Sequence, residues 1–599
     1  MLPNRRDFLR TTAAGCVMGL TVPALAAEKS AVQQSGAAPA VIRPKFHSRH
    51  IPVELLNLDT PTGKDVVRNG LCDAIKPDVL KRLRDLGVEL VEMRFAWWEI
   101  EPEPGRFDWS RAIRDIDAVL DAGLKAGMFA WFQYPPPWYD REHKSHARLQ
   151  ALGSNLESTV LSIWDPKTFE AYDRLLGISA EKLKGRISFV YNAISGNYGE
   201  VTYELGAKHY KFSSPGTSSD YFLGDRCARA SFAKELQRKY GSIDALNKAW
   251  GTNVASFDDD LMPKMPFAEN SLRQRDDCML WATESLLDFS DRVCGLYKKH
   301  FPGVPGGLPI GFVQEDMMIG QIKSRAAKLA AKHGLTARWT GCAFLGSFDR
   351  SNLLARRLAS AAHFYGAPFG TEAALIVDAE NAANALYESL SNGAALIHDD
   401  PQNILRSVEV QQAMRPTMVV DPPVTPIAVF YPVESNMLQL DAFDWKELVD
   451  RCAEFRRLTD YDVCDATMIA DGYLARKRDL FFAMNTHIRE DTAEAVVAFA
   501  ATGGRVWLYK NASVAVLHAT TTLAELAAKR GLTVRDVDAI DATGLYRCTD
   551  WRQTLPHIAS GTFTIPDEGQ ECYRTLHQHH ESCYFPKKQR FEIRKRADA

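Results

Sequence analysis

From about Phe46 onward, short apolar runs alternate with amphipathic stretches, and no other feature limits the fold of this chain so tightly. The stretch KPDVLKRLRDL carries apolar residues at helical spacing, with Pro77 in its first turn and Gly87 just past its last. VELVEMRFAWW then reads as a strand, RAIRDIDAVLDAG as a helix closed by glycine, and KAGMFAWFQY as the next strand. A helix near 169–184 leads to the strand ISFVYNAIS. LPIGFVQ, TARWTGCAF, APFGTEAAL and GAALIHDD each follow a helical stretch. Strands that alternate with helices pair in parallel, because each helix carries the chain back to the starting edge. Counted from about Ile51, eight strand candidates fill roughly 370 residues. The pattern therefore predicts an α/β fold, a (β/α)8 TIM barrel over 46–420. Its longest excursion runs from 202 to about 302 and is mostly helical, with SFAKELQRKYGSIDALNKAWG and LWATESLLDFSDRVCGLYKKHF.

Past Asp421 the pattern restarts. DPPVTPIAVFYP is a proline-rich linker entering a strand, followed by a helix over 445–459 and the strands DYDVCDATMI and DLFFAMN. The helix DTAEAVVAFAATGG and the strand RVWLY complete a smaller open α/β domain over 424–545. Residues 546–599 have no clear period and read as a C-terminal tail. Its LHQHHESC segment (His577, His579, His580) admits both incidental and metal-binding histidines, and no metal site is assigned.

At the N-terminus, Arg5-Arg6 precedes Asp7, Phe8 and Leu9, then an uncharged run over 11–27 apart from nothing but small and apolar side chains, closed by Ala24-Leu25-Ala26. That order marks a twin-arginine export signal over 1–27, with an Ala-, Ser- and Pro-rich linker over 28–45. The expected location is periplasmic or secreted. The run is short and weakly apolar beside the ~20 residues of a membrane span, and no later segment is long enough, so no membrane partner is expected after cleavage. The full chain has a net charge of −3; the signal holds three arginines and one aspartate, so cleavage leaves −3 − 2 = −5. With no sustained basic stripe, nucleic acid is not an expected partner. Of 11 cysteines, Cys16 leaves with the signal and the others form no CxxC pair. Cys572 and Cys583 lie near enough in sequence to form a disulfide in an exported chain. No dinucleotide or Walker pattern opens any βα unit, so no cofactor is expected and an oxidoreductase rests on the export route alone.

In a TIM barrel the chemistry sits at the carboxyl ends of the strands. Strand two ends in Arg94, Trp97 and Glu99; strand three in Trp131 to Tyr134; strand four in Asn192, Ser195, Asn197, Tyr198 and Glu200. Strand five ends in Glu315, strand seven in Glu372, and strand eight in His398, Asp399 and Asp400. Aromatic rings suit the apolar faces of pyranoses, and Asn, Gln, His and Asp suit their hydroxyls. For Trp97 and Trp131 ordinary packing is an equal reading, because strand residues alternate in and out. Cleaving a glycosidic bond takes two carboxyl groups, one to protonate the leaving oxygen and one to attack or to activate water. Glu200 and Glu372 come from strands across the mouth from each other. Gly196 and Gly199 free the backbone for a tight loop around Glu200, and Glu372 ends an apolar strand where a carboxylate needs a reason. The candidate catalytic pair is Glu200 and Glu372. The candidate substrate-binding residues are Arg94, Trp97, Trp131, Asn192, Asn197, Tyr198, Glu315 and His398, with Glu204 a competitor for the acid.

At these residues the chain resembles glycoside hydrolases. MRFAWWEIEPEPGRFDWSRAIRDIDAVLDAGLKAGM resembles the second-strand signature of family 42 β-galactosidases and their clan: a strand-ending Arg, a Trp and an E-P-x-x-G-x-[FY]-[DW] turn. RASFAKELQRKYGSIDALNKAWGT is similar to that family's helical insertion, and DVCDATMIADGYLARKRDLFFAMN with ATGGRVWLY to its flavodoxin-like second domain, which takes part in trimer formation there. The resemblance implies an exported glycoside hydrolase acting on a β-glycosidic bond, with an oligosaccharide or polysaccharide-derived glycoside as substrate and a homo-oligomer, trimer or dimer, as its state. It assigns Glu200 as acid/base, Glu372 as nucleophile and Arg94 as the nucleophile's support. Two features depart from the family. The strand-four run SGNYGE has Gly199 where family 42 has Asn, which resembles the acid loop of family 14 β-amylases, and the family's metal-binding cysteine cluster is absent, with only Cys227 in that region. The changed loop leaves retention and inversion both open, and it motivates an alternative: a non-catalytic carbohydrate-binding protein on a glycosidase-like barrel.

Overall fold

Eight parallel strands close into a barrel in the computed structural model, which describes residues 42–59, 64, 75–204, 220–311, 320–342, 348–373, 379–415, 418–439, 443–510, 512–537, 544–558, 573–585 and 590–595. The strands are β1 (Lys45–His50), β2 (Val88–Ala96), β3 (Lys125–Trp131), β4 (Ile187–Tyr191), β5 (Gly306–Ile310), β6 (Thr336–Cys342), β7 (Phe369–Ala373) and β8 (Leu396–Asp399). Each pairs with its neighbours in sequence, and β1 closes on β8. The barrel expectation holds, with one shift at its start. The first strand is KFHSRH, ahead of Ile51 and overlapping the expected linker. It was illegible as a strand because its inward positions are His and Arg rather than apolar residues.

Outer helices return the chain between strands: α1 (Pro77–Asp85), α2 (Ser110–Asp121) and α3 (Pro166–Lys182) come early. Their starts are set by local chemistry. Pro77 and Pro166 occupy first turns, where no N–H is missed, and the Asp165 side chain accepts from Lys167 N. The excursion after β4 folds as α4 (Arg226–Tyr240), α5 (Ile243–Trp250) and α6 (Leu272–His300). Asp225 caps α4 and Ser271 caps α6. The Tyr-Gly and Trp-Gly marks of this segment have one anchor: Tyr240 Oη and Trp250 Nε1 both donate to Asp277 on α6, at 2.5 and 2.7 Å. Trp281 of α6 stacks on Trp164, which stacks in turn on Tyr203, with interplanar angles of 14° in both pairs. These rings seat the helical excursion against the barrel rim. Beyond β5, α7 (Lys323–His333), α8 (Phe348–Tyr365) and α9 (Ala379–Ser391) complete the ring.

The second domain is a six-stranded parallel sheet of β9 (Ile427–Phe430), β10 (Asp462–Cys464), β11 (Asp479–Phe482), β12 (Arg505–Tyr509), β13 (Val534–Asp536) and β14 (Gly544–Cys548), in the order β10-β9-β11-β12-β14-β13. Its first four positions follow the flavodoxin-like order. The sheet runs past the expected boundary at 545, and the segment expected to be an irregular tail contains a three-stranded antiparallel sheet, β15 (Tyr573–Leu576), β16 (His580–Phe585) and β17 (Arg590–Lys595). Its strands are short and rich in Arg, Glu and His, which hides their alternation. The histidines of LHQHHESC serve this sheet. His577 places Nδ1 2.6 Å from Asp421 O and Nε2 2.8 Å from Ser582 Oγ, while Asp421 Oδ2 accepts from the backbone N–H of His579 and His580 at 2.9 and 3.1 Å. Cys572, half of the expected disulfide, lies outside the described residues. No helix among the described residues is long and apolar enough to cross a membrane.

Buried polar contacts join barrel and second domain. Asp276 on α6 accepts from Arg489 Nη2 at 2.6 Å and lies 2.8 Å from His518 Nε2. Ser324 of α7 donates to Asp465 at 2.6 Å. Burial alone would raise the Asp276 pKa, but the hydrogen bonds from His518 and Arg489 outweigh it and hold the carboxyl at about 2 against an ordinary 3.8. A depressed carboxylate pKa contributes stability that is present above the unfolded value and disappears as pH falls through the folded one. Asp276→Asn should therefore cost ~2 kcal/mol of unfolding free energy at pH 7. The gap between wild type and variant should close between about pH 4 and pH 2, followed by chemical denaturation at each pH.

Candidate active site

Parallel register decides which side chains meet inside the barrel. Glu372 on β7 pairs with Thr340 on β6 and His398 on β8, and the inward positions of each strand are two residues apart. The lower inward layer holds His47, Glu92, Tyr191, Arg338 and His398. The upper layer holds Arg49, Arg94, Trp131, Thr340 and Glu372.

Glu372 is 2% exposed and is gripped by three guanidinium groups. Arg49 Nη1 donates to Oε1, Arg94 Nη2 lies 3.5 Å from the same oxygen, and Arg338 Nη2 lies 2.6 Å from Oε2. The Thr340 hydroxyl donates to Oε2 at 3.0 Å. Below, Glu92 is fully buried; its Oε1 accepts from Arg94 Nε at 2.6 Å and its Oε2 from Arg338 Nη1 at 3.2 Å. Glu92, Arg94, Glu372 and Arg338 thus form a closed ionic ring. Arg49 is held from the other side by Asp400, with Nη2 2.7 Å from Oδ2. His398 sits beneath, stacked on Tyr191, with Nδ1 3.1 Å from Arg338 Nη1. Burial, then the charges of Arg338 and Arg49, push its pKa well below 6.5, so it is neutral and accepts from Arg338.

Glu200 ends a strained loop. Gly196, Tyr198 and Gly199 have φ of 56, 62 and 73°, and Tyr198 is costly there for a residue with a side chain. The loop is closed by Ile194 N donating to Gly199 O at 2.8 Å and Ser195 N to Glu200 O at 3.1 Å, and it is tied to α3 by Tyr172 Oη on Ile194 O at 2.6 Å. The Glu200 side chain is 2% exposed, and its Oε2 has no hydrogen-bond partner among the described residues. Burial raises its pKa above 4.5; the Thr340 hydroxyl and the charges of Arg338, Arg94 and Lys323 oppose that rise without cancelling it. Gly311, just past β5, passes so close that a Cβ there would lie 1.3 Å from Glu200 Oε2. The barrel mouth therefore joins one carboxyl whose pKa burial raises and one held among cations.

Other sequence-predicted residues divide. Arg94 belongs to the ring and covers the Trp131 indole at 5.3 Å, and Trp131 packs beneath Gly199. Tyr198 is half-buried next to Glu200, and Asn197 opens the same 3-10 turn. Trp97 lies elsewhere, fully buried and donating to Glu101 Oε2 at 2.7 Å. Glu101 also accepts from both Nη atoms of Arg174 and from Gly105 N, so the E-P-E-P-G turn is an anchor for the strand-two loop. Asn192 turns to Cys294 on α6. Glu204 is buried and accepts from Ser158 Oγ. Asp399 faces Asn403 at 2.7 Å, its pKa pushed up to about 7 by burial and by Asp400. Glu315 lies outside the described residues. Sequence reasoning missed Arg49, Glu92, Arg338, Thr340 and Gly311. The test that singled out Glu372, a charge at an inward strand position, also applies to Glu92 and Arg338.

Comparison with known proteins agrees with the resemblance to family 42. The family model described as beta-galactosidase, glycoside hydrolase family 42, matches residues 72–307. Beta-galactosidase BbgII of Bifidobacterium bifidum is 30% identical over 179 residues, 29% of this chain and 23% of that one. The chain spans between 23% and 33% of the length of the first curated relatives it matches. Among solved structures, beta-galactosidase from the psychrophilic Marinomonas ef1 superposes with a TM-score of 0.63 at 13% identity, over 90% of this chain and 95% of that one. The catalytic domain of beta-amylase from Paenibacillus polymyxa gives 0.51 at 18% identity, over 63% and 99%. Those two likenesses bear on the fold.

Removing one member of a buried ionic ring leaves its partners charged and unpaired. Glu92→Gln should lower the unfolding free energy by about 3–5 kcal/mol. Chemical denaturation at neutral pH reads that loss, and a change below about 1 kcal/mol would show that the ring does not close in solution.

Proposed function

We propose that the protein is a β-galactosidase-like glycoside hydrolase that cleaves a β-glycosidic bond with Glu200 as acid/base and Glu372 as nucleophile. One observation carries the reading: two buried carboxyls at the barrel mouth have opposite electrostatic settings. Glu200 is raised by burial, while Glu372 is surrounded by Arg49, Arg94 and Arg338. Glycoside cleavage needs that division of roles, a proton donor beside an anion. Glu200 donates its proton to the glycosidic oxygen as the bond to the anomeric carbon breaks. Glu372 attacks that carbon, and Glu200, now a carboxylate, takes a proton from the water that releases the sugar. The three arginines hold Glu372 ionised and aimed before substrate arrives. Thr340 donates to Glu372 at 3.0 Å and also opposes the rise of the Glu200 pKa, so it stands near both carboxyls. A carboxyl separation of ~5–5.5 Å goes with retention and one of ~6.5–9.5 Å with inversion. The twin-arginine signal at residues 1–27 supports export, with an oligosaccharide met in the periplasm or outside the cell. The resemblance of the second domain to a trimer-forming one supports a homo-oligomer.

Glu200→Gln and Glu372→Gln should each lower kcat at least ~100-fold on a β-galactoside the parent cleaves. Near-parental turnover by either variant would sink the assignment. Saturable sugar binding by the parent without released reducing ends would instead favour the binding-protein alternative.

Because Glu200 must be protonated, kcat should fall as pH rises through its pKa, which lies above 4.5. Gly311→Ala forces the carboxyl out of its slot toward solvent, so the basic limb of the pH profile should move to lower pH while kcat drops. An unmoved limb would show that burial at Gly311 does not set the Glu200 proton.

A further inference from the structure

The strand order of the second domain's parallel sheet reverses at β9, with β10 on one side and β11 on the other. Open α/β sheets place ligands beyond the carboxyl ends of the strands at such a point. A cavity of about 700 Å³ occupies that crevice here, within the ~300–1,000 Å³ of small-molecule sites. Its floor is built by residues that directly follow β9 and β10, among them Val433, Glu434 and Asp465, and its roof by α6 and α7 through Leu280 and Leu329.

Glu434 distinguishes this cavity from a packing gap. It is 5% exposed, and its Oε2 has no hydrogen-bond partner among the described residues. Its nearest cation, Arg489, reaches Oε1 only at 4.0 Å and is committed to Asp276 at 2.6 Å. Burial pushes the carboxyl up to about 7 against the charge of Arg489. A buried carboxyl oxygen without a donor is costly and rarely kept without a use. The remaining charges on the lining point the same way. Arg325, Lys328 and Lys332 are each paired with a carboxylate of their own, Glu284, Asp471 and Asp291. Asp288 and Asp491 line the cavity without an ion pair among the described residues. The excess charge is negative. A metal cation is poorly served, because no three His, Cys, Asp or Glu side chains among the described residues converge to hold one. An ammonium group needs only one carboxylate and suits an otherwise apolar wall.

We propose that the crevice binds a small organic ammonium ion, its N–H groups on Glu434 and its apolar stem between Val433, Leu280 and Leu329. The site is separate from the barrel mouth, and its occupancy does not depend on the glycosidase reading.

Isothermal titration of the full chain with n-butylammonium, n-butanol and calcium tests the proposal. Saturable butylammonium binding with a Kd of about 1 mM or tighter is expected, with none for butanol or calcium. Glu434→Gln should weaken butylammonium at least ~10-fold while raising Tm at pH 8, since it removes a buried carboxyl that lacks a donor. Asp288→Asn, at an exposed position on α6, keeps the fold intact and should weaken binding about threefold. Equal binding by wild type and Glu434→Gln, equal binding of butanol, or no butylammonium heat at all would each overturn the proposal. A fall in Tm for Glu434→Gln would make Glu434 a structural residue and overturn it as well.

Discussion

The barrel interior depends on the closed ring of Glu92, Arg94, Glu372 and Arg338. Four charges buried at this depth would be ruinous singly, and each is stable here only because the next one neutralises it. The ring dictates much around it. His398 has to be neutral to accept from Arg338, which sets the stack on Tyr191. Arg49 adds a third guanidinium to Glu372 and is itself balanced by Asp400. Glu372 is thus one member of a lattice that spans β1, β2, β6, β7 and β8, and its orientation is inherited from strand register rather than from a loop.

Glu200 is positioned by the opposite strategy. It sits on a loop with three left-handed residues, held by a backbone bridge, by Tyr172 and by the narrow passage at Gly311. Strain of this kind survives only where the surroundings over-determine it. Pressed against the bare backbone at Gly311, the Glu200 carboxyl is buried, and that burial raises its pKa. A carboxylate ringed by arginines and a carboxyl confined against backbone are two solutions to two electrostatic problems at one barrel mouth.

Much of the fold could be read from the sequence, because helical spacing, closing glycines and apolar strands repeat in the period a parallel barrel needs. The reading failed where that pattern carries chemistry. KFHSRH did not look like a strand because His47 and Arg49 occupy its inward positions. Glu92 and Arg338 lie inside apolar runs, where a charge is as anomalous as Glu372 is at its strand end. Gly311 and Thr340 could not have been found, since their importance lies in what passes beside them. Trp97 and Asn192 sit at strand ends but turn to Glu101 and Cys294, because a position near the mouth does not fix which way a side chain points. The antiparallel sheet formed by residues 573–595 was lost to its polar composition.

The 29-residue helix α6 has a mechanical consequence. Near one end Asp276 is fastened to Arg489 and His518 of the second domain; near the other, the Tyr297 hydroxyl accepts from Ala193 N at the root of the Glu200 loop. At ~1.5 Å per residue these anchor points lie about 32 Å apart on one rod. Pivoting that rod by about 3° at the far domain would carry its other end roughly 1.5 Å, more than the ~1 Å misplacement that can cost a positioned group about 100-fold. The position of the Glu200 loop is therefore set from two bearings, the barrel beneath it and the second domain.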